Sequence, residues 1–592
     1  MDPLDRDLDD HRFVLFDQLA IHEVLGADRD TLDAVLTEAA ALTASVLSPI
    51  NRAADREGVR FSAEEGVRVP AALKDAWQAV ASGGWIGLTV GEAHGGMGLP
   101  AALNAAVQEL FFSGSAAFMM YPGLTATVAH LLADEGPAGV GPMTVDRLLR
   151  GVWAGTMCLT EADAGSDVGA NRTLATPSEV PGVYTLVGEK IFISGGDHDL
   201  TENIVHVLLA RTPDAPPGTR GLSLFLAPKF WFDDAGVLTE RNGAFVTNIE
   251  HKMGIHASAT CTLRFGDRQP CRAWRIGAEG EGMALMFRMM NEARLGTALQ
   301  GVALGAAAFR AALAYARQRR QGAAWDKLRD AEAPRVSILA HPDVRRMLLD
   351  QQSKIAALRS LCLRLGLYAD RAQRGDEAAR ADLELLTPIA KAWGTDVGFE
   401  VACEALQVHG GYGYLVDYPV EQYVRDAKIA SIYEGTNGIQ AMDLIGRKLR
   451  MEGGAVFLRW LEGSRERCAE AERAGWTKEP AAIRQALDAV GAAAMSLAER
   501  GMTGGTAVAL VHAVPFLRAM AITVLAVESL EQATVATALR DRDPTRVACA
   551  EKPLNLRHYV AHVLPEAIAL GRVVRSGEDA ALDPALFAET GP

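Results

Sequence analysis

A chain of 592 residues, 49% hydrophobic and 22% charged, is too long for a single core and too apolar for disorder, so three or four folded domains are expected. Its formal net charge of −15 argues against nonspecific binding to nucleic acid or to an anionic membrane, although a local basic patch still suits a small anionic ligand. Seven cysteines without metal-ligand spacing suit a reducing compartment better than a disulfide scaffold, so no metal site is expected and a cytoplasmic location is.

Residues 1–150 read as an N-terminal helical domain, and Met1–Asp10, acidic and without an apolar core, do not read as a secretion signal. Leu32, Val35, Leu36, Ala39, Leu42 and Val46 share one helical face, with Pro49 predicting a stop soon after. Residues 151–275 change to short runs rich in β-branched and aromatic residues. The runs Val183–Val187, Lys190–Ser194, Ile204–Leu209, Leu222–Leu226 and Thr260–Phe265, separated by Gly, Pro and Asp turns, predict a central β domain.

Residues 276–450 return to helix. Met283–Arg317 predicts one long helix whose small residues allow close packing, and a polar insertion from Gln321 to Ala340 precedes a helix opened by His341-Pro342-Asp343. Residues 451–592 read as an appended, Ala-rich helical domain. Its apolar run Thr506–Val527 contains His512, Pro515 and Arg518, which predicts buried helices broken near Pro515 and no membrane span. The expected fold class is therefore mainly α with a central β domain.

The stretch that invites chemistry is Arg425–Gln440. Ile429, Ile432 and Tyr433 precede a single carboxylate, Glu434, and Gly435 then leaves backbone room for a ligand at the entrance of a helix marked by Ile439, Met442, Ile445 and Leu449. Desolvation raises a carboxyl pKa and a helix start lowers it, a combination suited to proton abstraction. The plainer alternative is a glutamate that only complements the helix dipole.

This stretch resembles the catalytic end of the acyl-CoA dehydrogenase family, and Gln407–Tyr414 upstream resembles that family's cofactor-contacting turn. Cys158–Asp167 is similar to its flavin-contacting strand and turn, and Gly188–Gly196 to the strand that walls the flavin ring. Ala162-Asp163 stands where members often carry Pro-Gly, and Phe192 and Ser194 where Trp and Thr are common, so the aromatic wall and the hydroxyl are kept. The replacement of the usual Phe-Gly by Gln321-Gly322, with the segments Asp197–Asn203 and Ile249–His256, resembles an extended branch that includes 3-methylmercaptopropionyl-CoA dehydrogenase.

The resemblance implies helical, β and four-helix-bundle domains plus a C-terminal helical extension, FAD as cofactor, an acyl-CoA substrate, electron-transferring flavoprotein as acceptor and a homodimer. It implies Glu434 as the base that takes the α proton while a hydride passes to the flavin. It implies Leu159, Thr160, Gly165, Ser166, Phe192, Ser194, Arg319, Gln407, Gly410, Gly411 and Thr436 as cofactor contacts, with Ser166, Arg294 and Gly435 contacting substrate. A guanidinium at Arg319 suits a pyrophosphate because its fork binds two oxygens. Some branches carry the glutamate one residue before Arg294; Ala293 occupies that position here, and Glu292 beside it merits a control substitution.

Two alternatives share these motifs: an acyl-CoA oxidase passing electrons to oxygen, and a noncatalytic flavin-bound homologue that associates with DNA. Residues 451–592 hold 15 Lys and Arg against 18 Asp and Glu, leaving −3, which gives a DNA groove little support.

Overall fold

The computed structural model describes residues 3–587 apart from Asp234 and Asp541, so the outermost ends of the 1–150 and 451–592 segments lie outside the described residues. The chain divides into two compact units: Met1–Glu38, Ala101–Glu109 and Thr297–Pro592 form one, and Ala39–Pro100 with Leu110–Gly296 the other. Helices flank a central β region. In chain order the helices used below begin with α1 (Pro3–Arg12), α2 (Ala101–Gly114) and α3 (Pro122–Glu135).

The sheet has eight strands: β1 (Trp153–Cys158), β2 (Leu174–Pro177), β3 (Val183–Ser194), β4 (Asn203–Arg211), β5 (Leu222–Pro228), β6 (Ala244–Ile249), β7 (Thr260–Phe265) and β8 (Cys271–Ile276). Their order is β6-β7-β3-β8-β5-β4-β1, with β2 pairing β3 and β4. β4 and β5 are buried at nearly every position, as their mainly apolar runs, interrupted by His206 and Ser223, suggest.

Then follow α4 (Gly282–Gln318), α5 (Pro342–Gln373), α6 (Glu377–His409), α7 (Val420–Lys428) and α8 (Asn437–Gly446). The appended domain comprises α9 (Ala455–Arg473), α10 (Lys478–Met502), α11 (Ala513–Arg540), α12 (Val547–His562) and α13 (Leu564–Ser576). The predicted close packing is present: a Cβ added at Gly398 of α6 would lie 2.2 Å from the Gly301 carbonyl of α4, so these helices meet backbone to backbone.

Three expectations require correction. The helix does not stop near Pro49: Arg29–Leu42 runs through a π-helical turn, Thr43–Leu47, into Ser48–Glu57. That wider turn takes the Ser48 N–H to the Thr43 carbonyl, and Pro49 follows in the first turn of the next segment, where a missing N–H is tolerated. The runs Val183–Val187 and Lys190–Ser194 are one strand, β3. Gly188 is not a turn but a close approach, since a Cβ there would lie 2.5 Å from Thr173 Oγ1. Helix α8 ends at Gly446, which puts Leu449 in the following 3-10 turn.

Helix α11 begins after a break at His512, close to the expected one, and packs against α10, α12 and α13. Among the described residues four helices, Arg29–Glu57, Ala116–Glu135, Gly282–Gln318 and Ala513–Arg540, are long and apolar enough to cross a membrane by length and composition. In the last two, 78% and 83% of the most apolar window lies buried inside the protein, so packing accounts for the composition. All seven cysteines are free, and all but Cys403 are buried.

Candidate active site

In the β-containing unit, the turn after β1 is built around a buried ion pair. Lys190 of β3 is fully buried and donates to the Leu159 carbonyl (3.1 Å), Asn171 Oδ1 (2.9 Å) and Glu161 Oε1 (2.8 Å). Glu161 also accepts from the backbone N–H groups of Arg172 (2.7 Å) and Thr173 (3.0 Å) and from the Thr173 hydroxyl (2.6 Å). Burial pushes this carboxyl up, but the ammonium and the hydrogen-bond donors outweigh it and hold Glu161 below the usual carboxylate range.

The Glu161 and Ala164 backbones close the turn on each other, which leaves Gly165 and Ser166 exposed and Leu159 and Thr160 half-buried. Asp163, the departure from Pro-Gly, points outward 3.5 Å from Arg172 and does not prevent the turn. The Ile191 N–H donates to the Thr160 carbonyl (2.9 Å), bringing the turn beside Phe192 and Ser194. Phe192 has φ 60° and is 60% exposed, a strained, largely unpacked aromatic on β3.

In the helical unit Glu434 and Gly435 are both left-handed, with φ 57° and 80°. That conformation is costly for Glu and persists only where the surroundings impose it. The surroundings are specific. The Lys391 ammonium donates to the Gly435 carbonyl (2.7 Å), and Gln440 Nε2 lies 3.4 Å and 3.3 Å from the Glu434 and Gly435 carbonyls. On the other side the Tyr433 hydroxyl donates to Gln300 of α4. Thr436 caps α8 by accepting from the Ile439 N–H (3.2 Å), which leaves its hydroxyl proton available to a ligand.

Gln407, Gly410 and Gly411 lie elsewhere in the same unit. They end α6, and the 16 residues from Lys391 to Gln407 span about 24 Å of helix, so this cluster is separate from the Glu434 loop. Gly410 caps the helix with φ 61°, and an added Cβ at Gly410 or Gly411 would meet nothing within 4 Å. Arg319, just past α4, places its guanidinium 5.5 Å from the Tyr412 ring. Thus Arg319 joins the Gly410 turn and not Glu434.

Arg294, on α4, is 5% exposed, with its guanidinium 3.3 Å from Asn291 Oδ1 and 6.0 Å from the Phe287 ring. Glu292 is engaged by His130 of α3, whose Nδ1 lies 2.7 Å from its carboxylate. Burial pulls the imidazole down, yet Glu292 and the Thr89 carbonyl outweigh this and raise it from 6.5 to about 9. The pair's contribution to stability is therefore complete below pH 6.5 and disappears as pH rises through about 9. Because Glu292 is 40% exposed, a loss of no more than about 1 kcal/mol is expected. Thermal unfolding should show a steeper decline over that window in wild type than in His130→Gln; parallel profiles would reject the assignment.

These donor sets fit FAD. The Thr160 and Ser194 hydroxyls and neighbouring amides offer hydrogen bonds, Phe192 offers an unpacked ring, and the open Gly410-Gly411 turn beside Arg319 offers backbone access and a cation for an anionic group. The sequence motifs contain Glu161, Lys190 and Gln440 without roles for them, Tyr433 is read there only as an apolar neighbour of Glu434, and Lys391 and Gln300 are missed. The available signal for Lys391 was a lone cation in the apolar run Leu385–Trp393. Gln300 carried none.

Comparison with known proteins gives a consistent result along the chain. Residues 29–140, 156–268 and 280–449 match the N-terminal, middle and C-terminal domains of acyl-CoA dehydrogenases, and residues 461–584 match the acetyl-CoA dehydrogenase C-terminal-like domain. The chain is 40% identical over 439 residues to 3-methylmercaptopropionyl-CoA dehydrogenase of Ruegeria pomeroyi, covering 73% of each chain. It is 32% identical over 598 residues to a butyryl-CoA dehydrogenase of Syntrophomonas wolfei, covering 97% of each. Its fold matches that of a Bacillus anthracis acyl-CoA dehydrogenase complexed with FAD, with a TM-score of 0.74 at 20% identity over 94% of this chain and 90% of that one.

Proposed function

This chain belongs to the acyl-CoA dehydrogenase family, and from that membership we propose that it introduces a trans α,β double bond into a short or medium acyl-CoA thioester, with Glu434 as the base. It is an FAD-dependent oxidoreductase. The observation that carries the assignment of the base is the Glu434 loop itself. A non-glycine residue is kept left-handed by contacts from two helices, as expected where the direction of one carboxylate matters.

Glu434 removes the proton on the α carbon. A carboxylate is far too weak a base for that proton in water, so the thioester carbonyl needs donors that stabilise the negative charge as it develops. The backbone N–H of Glu434 is assigned as one of them. When bound, FAD supplies the acceptor for the hydride leaving the β carbon. In the β-containing unit Leu159, Thr160, Gly165, Ser166, Phe192 and Ser194 would hold the flavin, with Ser166 and Arg294 assigned to substrate; in the helical unit Thr436 is assigned as a cofactor contact and Gly435 as a substrate contact. Closing water out strengthens each of these interactions.

The separate cluster of Arg319, Gln407, Gly410 and Gly411 is assigned to the dinucleotide of a neighbouring subunit, which makes a homodimer the working assembly. Electron-transferring flavoprotein is the assigned acceptor and the cytoplasm the assigned location. The substrate relatives point to short chains, with butyryl-CoA and 3-methylmercaptopropionyl-CoA as the first candidates.

Anaerobic titration of the holoprotein with a panel of acyl-CoAs tests this reading. Bleaching of the flavin by a short or medium thioester is expected, with artificial electron acceptors reduced on turnover and little hydrogen peroxide formed. A flavin that no acyl-CoA bleaches would remove the proposal, and peroxide formed in step with product would replace the dehydrogenase by an oxidase.

A further inference from the structure

Helix α6 carries a fully buried lysine at the Glu434 loop. Lys391 is 0% exposed, and its ammonium donates to the Gly435 carbonyl (2.7 Å) and to Asn437 Oδ1 (3.0 Å). Asn437 is itself held from α6: its amide donates to the Ala392 carbonyl (3.0 Å) and Asp396 Oδ1 (2.8 Å), and lies 3.1 Å from the Thr395 hydroxyl. One turn of α6 therefore grips both the carbonyl following Glu434 and the first residue of α8.

Packing does not call for a cation there. The flanking Ile389, Ala390, Ala392 and Trp393 are all buried, and a Met or Leu would fill the same volume without the desolvation cost of an ammonium. What an apolar residue could not do is hold a carbonyl oxygen. Two successive left-handed residues give Gly435 competing conformations; holding its carbonyl fixes the Gly435–Thr436 peptide, and a change in either Gly435 dihedral would redirect the preceding peptide that carries Glu434.

We propose that Lys391, with the Asn437 it holds, is a positioning clamp that fixes the Gly435 peptide and thereby aims the Glu434 carboxylate at the substrate's α proton. The inference rests on Glu434 being the base. Lys391 touches neither substrate nor cofactor in this scheme; it acts through the backbone of the loop. A reacting group displaced by about 1 Å loses roughly 10²-fold in rate, and that is the loss expected on removing the clamp.

The test is stopped-flow bleaching of the flavin-loaded protein by a saturating acyl-CoA without oxygen, because the rate constant refers only to folded, loaded protein and ignores how much of it there is. Lys391→Met should slow bleaching roughly 10²-fold. The half-saturating substrate concentration should move less than about threefold, since only the aim of the base is lost, and the slowing on α-deuteration should grow. Asn437→Leu should slow bleaching too, and the double variant should be no slower than the slower single, as expected of two parts of one device.

Should Lys391→Met fail to yield loaded protein, Asn437→Leu decides. A wild-type rate constant in whichever variant folds, in a protein where Glu434→Gln is inactive, would overturn the clamp while leaving the base in place. Wild-type bleaching by Glu434→Gln would overturn the parent reading, and this one with it.

Discussion

Glu434→Gln is expected to retain bound flavin and its yellow colour, but to bleach with acyl-CoA more slowly by a factor on the order of 10²–10⁴, the range a general base contributes. The substitution keeps size and shape, and the loop is held through backbone carbonyls by Lys391 and Gln440, neither of which needs the carboxylate. A folding defect therefore should not account for the loss. Glu292→Gln is the control. Its carboxylate is occupied by His130, so bleaching should proceed near the wild-type rate and only the stability of the His130 contact should change. Equal bleaching in Glu434→Gln and wild type would take Glu434 out of the role, and a dead Glu292→Gln would move the role to that residue.

The second large effect is on stability. Arg359 of α5 lies 3% exposed at the centre of an ion network, donating to Glu109 of α2 (2.8 Å), and to Asp10 (2.6 Å) and Asp7 (3.1 Å) of α1. Lys552 of α12 pairs with Asp10, Arg310 with Asp7, and His11 lies 3.0 Å from Glu109. The network thus joins the N-terminal helix, the bundle and the appended domain within one unit. Burial pushes the Glu109 carboxyl up, but Arg359 and His11 more than offset this and bring it down to about 2.

Without the guanidinium, Glu109, Asp10 and Asp7 keep only His11, Lys552 and Arg310 as partners in a dry interior, and Arg359→Leu should destabilise that unit by about 3–5 kcal/mol. The sign of the pH dependence follows from Glu109. Its stabilising contribution is complete above about 4.5 and lost as pH falls through about 2, so the deficit of Arg359→Leu should be largest near neutrality and shrink in acid. Adding Glu109→Gln should recover part of the loss by removing one buried charge that His11 alone would then face. Urea unfolding across pH measures all three statements. An unchanged midpoint in Arg359→Leu would mean that water already reaches the network.

The patterns of composition and periodicity were sufficient for much of the architecture. The 37-residue helix Gly282–Gln318 is legible because an Ala, Leu and Met run with few breakers has few alternatives, and β4 and β5 are legible because short, mainly apolar runs rich in β-branched and aromatic residues suit a buried sheet. Glu434 stands out as the proposed base for a local reason: a carboxylate between apolar residues and a glycine at a helix start is a pattern of consecutive positions. The misreadings at Pro49 and Gly188 are equally local in origin. Proline and glycine punctuate a chain in isolation, whereas a π-helical turn and an approaching Thr173 give them other uses.

What belonged to the sequence alone, then, was the choice of candidate reacting groups and the order of the elements that carry them, because propensity and motif spacing act over a few residues. What only the folded molecule decided was which distant groups share a place. It separated Gln407, Gly410 and Gly411 from the Glu434 loop by about half the length of α6, paired Glu292 with His130 across 162 positions, and set Lys391 against a carbonyl 44 residues away. Ion pairs and hydrogen bonds depend on distance in space, and a linear chain holds no record of that distance until its helices have packed.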